Sequence, residues 1–166
     1  DSQDICFVKS GCYTAVVDGI CAERGTARRH GNFVDVDGNV LGTHSGIERY
    51  TIGQRKGVGV SLGVGTPLYV IDKRPETAEV VMGADKLLFR QEMTVKNISF
   101  VYLTDDEAAA KPMRLTVKTR YNQKPVHVCV EYNAAEKRAG VVFDAPVRAI
   151  TPGQTAVFYN DDDIIG

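Results

Sequence analysis

The feature that most limits what this chain can fold into is a succession of short β-type runs that fills its second half. Thr94–Tyr102, Arg114–Tyr121, Val126–Tyr132, Gly140–Phe143 and Thr155–Tyr159 are each rich in β-branched and aromatic residues. Pro-, Gly- or Asn-containing turns separate most of them. Short strands at this spacing, with little room for crossover helices, predict antiparallel barrels or sandwiches and exclude a parallel α/β sheet. The only helical run in this half is Asp105–Ala110, acidic and then Ala-rich, which reads as one turn of helix or a solvated loop.

The first half differs at its start. Tyr13, Val16, Val17 and Ile20 recur at the spacing of one helix face, which predicts a short helix from Gly11 to about Cys21. From Asn32 to Leu41 the pattern turns to β around Asp37-Gly38, a pair suited to a type I′ hairpin turn. Leu68–Ile71 and Glu79–Met82 flank Lys73-Arg74-Pro75-Glu76 as a second strand–turn–strand unit. The expected class is therefore mainly β, with a short N-terminal helix, a small β-rich central domain and a C-terminal antiparallel β-barrel. A boundary is expected near Gly83–Lys86, giving residues 1–22, 23–84 and 85–166.

Composition removes several function classes. Twenty Lys+Arg against 21 Asp+Glu leave a formal charge of −1, which excludes a uniformly basic nucleic-acid coat but not a local basic patch. No apolar run approaches the ~18–20 residues that cross a bilayer. The opening Asp1-Ser2-Gln3-Asp4 has no basic n-region, so no signal peptide is expected and the cytosol is the default compartment. Cys6, Cys12, Cys21 and Cys129 form no C-x-x-C pair, and His30, His44 and His127 supply no H-x-x-x-H partner. A zinc site and a disulfide scaffold are both disfavoured.

Three places have the residue types for chemistry. Arg114, Thr116, Lys118 and Arg120 share one face of a strand, with Leu115 and Val117 on the other. Residues 111–124 carry five positive charges and no negative one, and Tyr121-Asn122-Gln123 add a ring and two amides. That mixture suits phosphate contact with base or sugar recognition on RNA; it also suits a solvated face that keeps a sheet soluble. Thr51–Val60 is glycine-rich around Gln54-Arg55-Lys56 but matches neither the P-loop nor the dinucleotide spacing. It reads equally as a basic loop touching a polyanion and as an exposed turn. Cys6, between Ile5 and Phe7, reads first as a small core residue, and a reactive thiolate there would need a cation or helix N-terminus close by. Cys12, Cys21 and Cys129 read as packing residues. His44 has no identifiable nucleophile partner, so no catalytic role is assigned to it. Asp161-Asp162-Asp163 reads as a solvated turn.

Five segments taken in order resemble the C-terminal half of the bacterial tRNA-specific 2-thiouridylases. They are Asp1–Phe7, Asp37-Gly38 with Leu41–Gly46, Tyr50–Gly57, Val117–Tyr121 and Thr151–Tyr159. The resemblance implies ATP-dependent sulfur transfer to C2 of the wobble uridine (position 34) of tRNA. In such enzymes an N-terminal domain, using ATP and Mg²⁺, adenylates the C2 oxygen, and sulfur from a cysteine persulfide replaces it. Cys6 matches the persulfide cysteine, which displaces the core reading. Arg120, Tyr121 and Gln154 match tRNA-contacting positions, and Lys118 joins them from the basic strand. The partners implied are tRNA and a sulfur-donor protein, either a cysteine desulfurase or a relay protein. The family's S-G-G-x-D-S nucleotide motif occurs nowhere in the chain, nor does its first catalytic cysteine. The chain is therefore expected to be part of a longer enzyme, without turnover or ATP binding of its own. The alternative is a β-barrel RNA-binding or adaptor module with no chemistry.

Overall fold

The strands form two separate sheets, and burial alternates along the central strands of the second. The computed structural model describes residues 13–25, 29–55, 58 and 67–166. Its contacts divide the chain into two units, one ending at Leu88 and the other beginning at Phe89.

The first unit starts with helix α1, Tyr13–Glu23, close to the expected span. Strands β1 (Gly31–Val34), β2 (Val40–His44), β3 (Tyr69–Arg74) and β4 (Glu79–Gly83) form a sheet in the order β2-β1-β4-β3. Both hairpins anticipated from the sequence are present. What joins them is a parallel pairing of β1 with β4, Asn32 to Glu79 and Val34 to Val81. This makes β4 a central strand, and Val80, Val81, Met82 and Gly83 are all buried, as expected for a strand covered on both faces. The β1–β2 turn departs from the type I′ expectation. Gly38 alone has positive φ, at 89°, while Val36 and Asp37 do not. The Gly38 N–H donates to Asp35 O at 3.2 Å. The result is a type I turn followed by a left-handed glycine, the three-residue alternative. Asp35 stabilises it by accepting the Asn39 N–H at 2.8 Å and the Asp37 N–H at 3.0 Å. A 3₁₀ turn, Ile47–Arg49, follows β2.

The second unit contains β5 (Phe89–Lys96), helix α2 (Asp105–Ala109), β6 (Met113–Lys118), β7 (Val126–Asn133), β8 (Arg138–Arg148), β9 (Val157–Asn160) and β10 (Asp163–Ile164). Its sheet runs β10-β9-β6-β7-β8-β5, with every pairing antiparallel. Val117, Val128, Val130, Val141, Phe143 and Phe158 form the buried core. Helix α2 is set by a capping box, in which Thr104 accepts the Glu107 N–H and Glu107 accepts the Thr104 N–H, satisfying two otherwise orphaned donors.

The expected barrel is not closed by a ladder: among the described residues β5 and β10 remain sheet edges. The strand foreseen at Thr94–Tyr102 stops at Lys96 because Asn97 takes a left-handed φ of 56° and turns the chain out of the ladder. Beyond it, the Val101 N–H donates to Ile165 O at 2.9 Å, one bridging bond where closure would need a run of them. Asp161, at φ 52°, makes the expected turn, and the chain then folds back as β10, which the acidic run concealed.

Candidate nucleic-acid interface

Strand β6 realises the one-sided pattern. Leu115 and Val117 are buried, whereas Arg114, Thr116 and Lys118 face outward, exposed or half-buried. The chain then turns. The Thr119 N–H and hydroxyl both donate to Gln123 Oε1, at 3.0 and 2.8 Å, and the Gln123 N–H donates to Arg120 O at 3.1 Å. These bonds close a β-turn over Arg120–Gln123, with Tyr121 at its tip. Tyr121 is 93% exposed. Such exposure of a ring on a fixed turn leaves its π-face available for stacking.

Arg120 points elsewhere. Its Nη2 donates to the carbonyl of Ala149, to which the Thr151 hydroxyl also donates at 3.1 Å. Burial, and then the charge of Arg148, push the Arg120 pKa down, yet a guanidinium starts high enough to stay charged. Gln154 is exposed on the loop between β8 and β9. The β6–β9 pairing ends at Lys118 with Val157, so the turn after β6 and the loop before β9, which carries Gln154, leave the sheet at the same end. Arg120, Tyr121, Gln154 and Lys118 therefore belong to one end of the second unit.

The fold revises the count of free charge on residues 111–124. Arg114 is held fork to fork by Asp144, at 3.0 and 2.7 Å, and Lys111 lies before β6, at the opposite end from the turn. Lys118, Arg120 and Lys124 remain at the turn end. Asp144 gave no local signal, because it comes from β8, 30 residues away.

Cys6 and Cys12 are outside the described residues, as is most of the glycine-rich loop beyond Arg55. What is described of that loop is its base: the Gly53 N–H donates to Val70 O at 2.8 Å and the Val70 N–H to Gln54 O at 2.9 Å. Cys21 and Cys129 are half-buried free thiols. His44 is only 6% exposed. Its ring lies 5.1 Å from Phe33 and 5.4 Å from Tyr50, and its Nδ1 accepts the Gly46 N–H at 3.2 Å. That places the His44 proton on Nε2, in an aromatic box. Among the described residues no group of His, Cys, Asp or Glu is arranged to hold a metal, and no helix is long and apolar enough to cross a membrane.

Two family models match the chain. Residues 21–84 match the tRNA methyl transferase PRC-barrel domain, and residues 90–166 match the aminomethyltransferase beta-barrel domain. Over its full length the chain is 41% identical to the tRNA-specific 2-thiouridylase MnmA of Clostridium kluyveri, covering 44% of that protein. It is 43% identical to the protein of that name from Carboxydothermus hydrogenoformans, covering 43% of it. It is 40% identical to the protein of that name from Solibacter usitatus over 168 aligned positions, covering 44% of it. The chain thus spans less than half the length of the curated relatives it matches.

Proposed function

The chain belongs to the tRNA-specific 2-thiouridylase family, and we propose that it supplies such an enzyme with its tRNA-gripping β units and its sulfur-carrying thiol. The observation that carries this reading is the end-to-end match, 41–43% identical, to relatives whose name states that activity. In this reading residues 1–22 close the catalytic region, 23–84 form the central domain and 85–166 the C-terminal one.

Within that scheme the residues divide their work. Cys6 carries the terminal persulfide sulfur that replaces the adenylated C2 oxygen of the wobble uridine. A thiolate is the form that accepts sulfur. Arg120 and Lys118 contact the tRNA backbone, Tyr121 stacks or positions, and Gln154 hydrogen-bonds across the same end. ATP and Mg²⁺ belong to the region of the relatives that holds the S-G-G-x-D-S motif, and a sulfur-donor protein charges the thiol. The reaction is assigned to the cytoplasm, where reduced thiols and tRNA meet.

The test is binding of a fluorescently labelled, unmodified tRNA transcript to the purified chain across a salt series. Affinity that falls with salt, with a slope reporting several phosphate contacts, supports the reading. Absence of binding, or binding indifferent to salt, overturns it. Binding by a complete protein that never thiolates tRNA would favour the adaptor alternative.

A further inference from the structure

The Arg120–Gln123 turn fixes a side chain as well as a backbone. Thr119, the buried residue that follows β6, directs its backbone N–H and its hydroxyl to Gln123 Oε1, at 3.0 and 2.8 Å. A backbone N–H only donates, so the atom facing it is the amide oxygen; the reversed amide would set two donors against each other. Both hydrogens of Nε2 therefore lie on the far side of the amide from Thr119. Gln123 is half-buried, and Asn122 and Lys124 on either side of it are exposed, so that far side is the solvent side. Oε1 already accepts twice, which occupies both of its lone pairs. The amide thus offers donors and no acceptor. Such a group serves a phosphate, ribose or carbonyl oxygen and rejects a donor. Because the fold already holds it in place, binding costs little rotamer freedom. Tyr121 stands on the same turn, 93% exposed, so a nucleotide stacked on that ring brings its own oxygen acceptors to the turn.

We propose that Gln123 is a further tRNA-binding residue, its Nε2 donating to an oxygen of the nucleotide that meets Tyr121, with Thr119 holding the amide donor-side out. The proposal rests on the tRNA reading of this end of the unit. The sequence shows an amide at this position but not which of its ends is free; the two bonds from Thr119 decide that.

The experiment measures binding of the labelled tRNA transcript to the whole chain and to its Q123E, N122D and R120E variants, over a salt series, with a thermal melt of each. Gln123→Glu keeps an oxygen to accept both bonds from Thr119 and removes only the outward donors. Its melting temperature should stay close to wild type. Binding should weaken about tenfold, the scale of one lost hydrogen bond whose acceptor is left facing a carboxylate. Asn122→Asp sets the same charge one residue away and measures the purely electrostatic part, which salt screens. A Q123E loss that exceeds the N122D loss and persists at high salt supports the contact. Equal losses that fade together with salt, beside a weakened R120E, would overturn the proposal and leave the tRNA reading intact. Should Q123E melt well below wild type, the deciding measurement uses the isotope-labelled wild-type chain. In a nitrogen–proton correlation spectrum the Gln123 side-chain amide signals should shift when the transcript is added, and signals that stay in place would overturn the proposal. A wild-type chain that binds no tRNA would overturn both readings.

Discussion

Arg114 on β6 reaches across β7 to Asp144 on β8, Nη1 to Oδ1 at 3.0 Å and Nη2 to Oδ2 at 2.7 Å. The hydrogen bonds from Arg114 hold the Asp144 carboxyl below the usual carboxylate range. The pair therefore stays ionised at any pH where tRNA binding is measured, and the most conspicuous cation of the basic strand is neutralised within the protein.

Arg114→Gln should therefore leave the affinity for a tRNA transcript and its salt slope close to wild type. Arg120→Glu, by contrast, should weaken binding and lower the slope by about one. Anisotropy titrations at several salt concentrations separate the two. An equal effect from both substitutions would mean that the whole strand face, rather than its turn end, meets the RNA.

Tyr121→Ala removes a ring that packs against little of the protein. Stability should not change, while tRNA affinity should fall by about 1–3 kcal/mol if a base stacks there. A thermal melt and a binding titration on the same sample check both halves. Unaltered affinity would make the exposed tyrosine an ornament of the turn.

The alternation on β6 and the β1–β2 hairpin were legible because both depend on neighbouring residues. Leu115 and Val117 are inside and Lys118 outside, as a period of two requires. The parallel β1–β4 pairing was not legible, because it joins segments more than forty residues apart through the buried Val80-Val81-Met82. The same limit concealed the Arg114–Asp144 pair. Strand β10 was missed for a different reason: Asp161-Asp162-Asp163 reads as a solvated turn, and only its last residue enters a ladder with Asn160. Of the candidate site, Arg120-Tyr121 was visible as a motif, but the Ala149 carbonyl that holds Arg120 was not.

Gly31 is confined by backbone. A Cβ there would lie 1.7 Å from the carbonyl oxygen of Ala78, the left-handed turn residue between β3 and β4. Gly31→Ala should destabilise the first unit by about 2–3 kcal/mol through forced displacement of that turn. Urea denaturation followed by circular dichroism measures the loss. A variant as stable as wild type would show that the β3–β4 turn yields freely.

His44 should make stability depend on pH. Burial holds its pKa below the ordinary 6.5, with His30 acting in the same direction and the Ala78 carbonyl and Glu48 opposing. The unfolded chain therefore takes up this proton first as pH falls. The contribution is complete above about 6.5 and is lost on acidification until the folded pKa has been passed. Protonation also places a second N–H against the Gly46 N–H, which Nδ1 now accepts. His44→Phe should cost about 1 kcal/mol at pH 7.5 through the lost acceptor and should flatten the decline between pH 6.5 and 5. Melts of both proteins across that range decide it. Parallel declines would assign the titration elsewhere.

The most direct measurement of the central claim is 2-thiouridine in tRNA, quantified by mass spectrometry after digestion, made by the complete protein that contains this chain. Cys6→Ser keeps the shape of the side chain but cannot carry sulfane sulfur. With Cys6 as the sulfur carrier, that variant should yield no 2-thiouridine while binding tRNA as tightly as wild type, and Cys129→Ser should thiolate normally. Persistent 2-thiouridine in the Cys6→Ser protein would contradict the assignment.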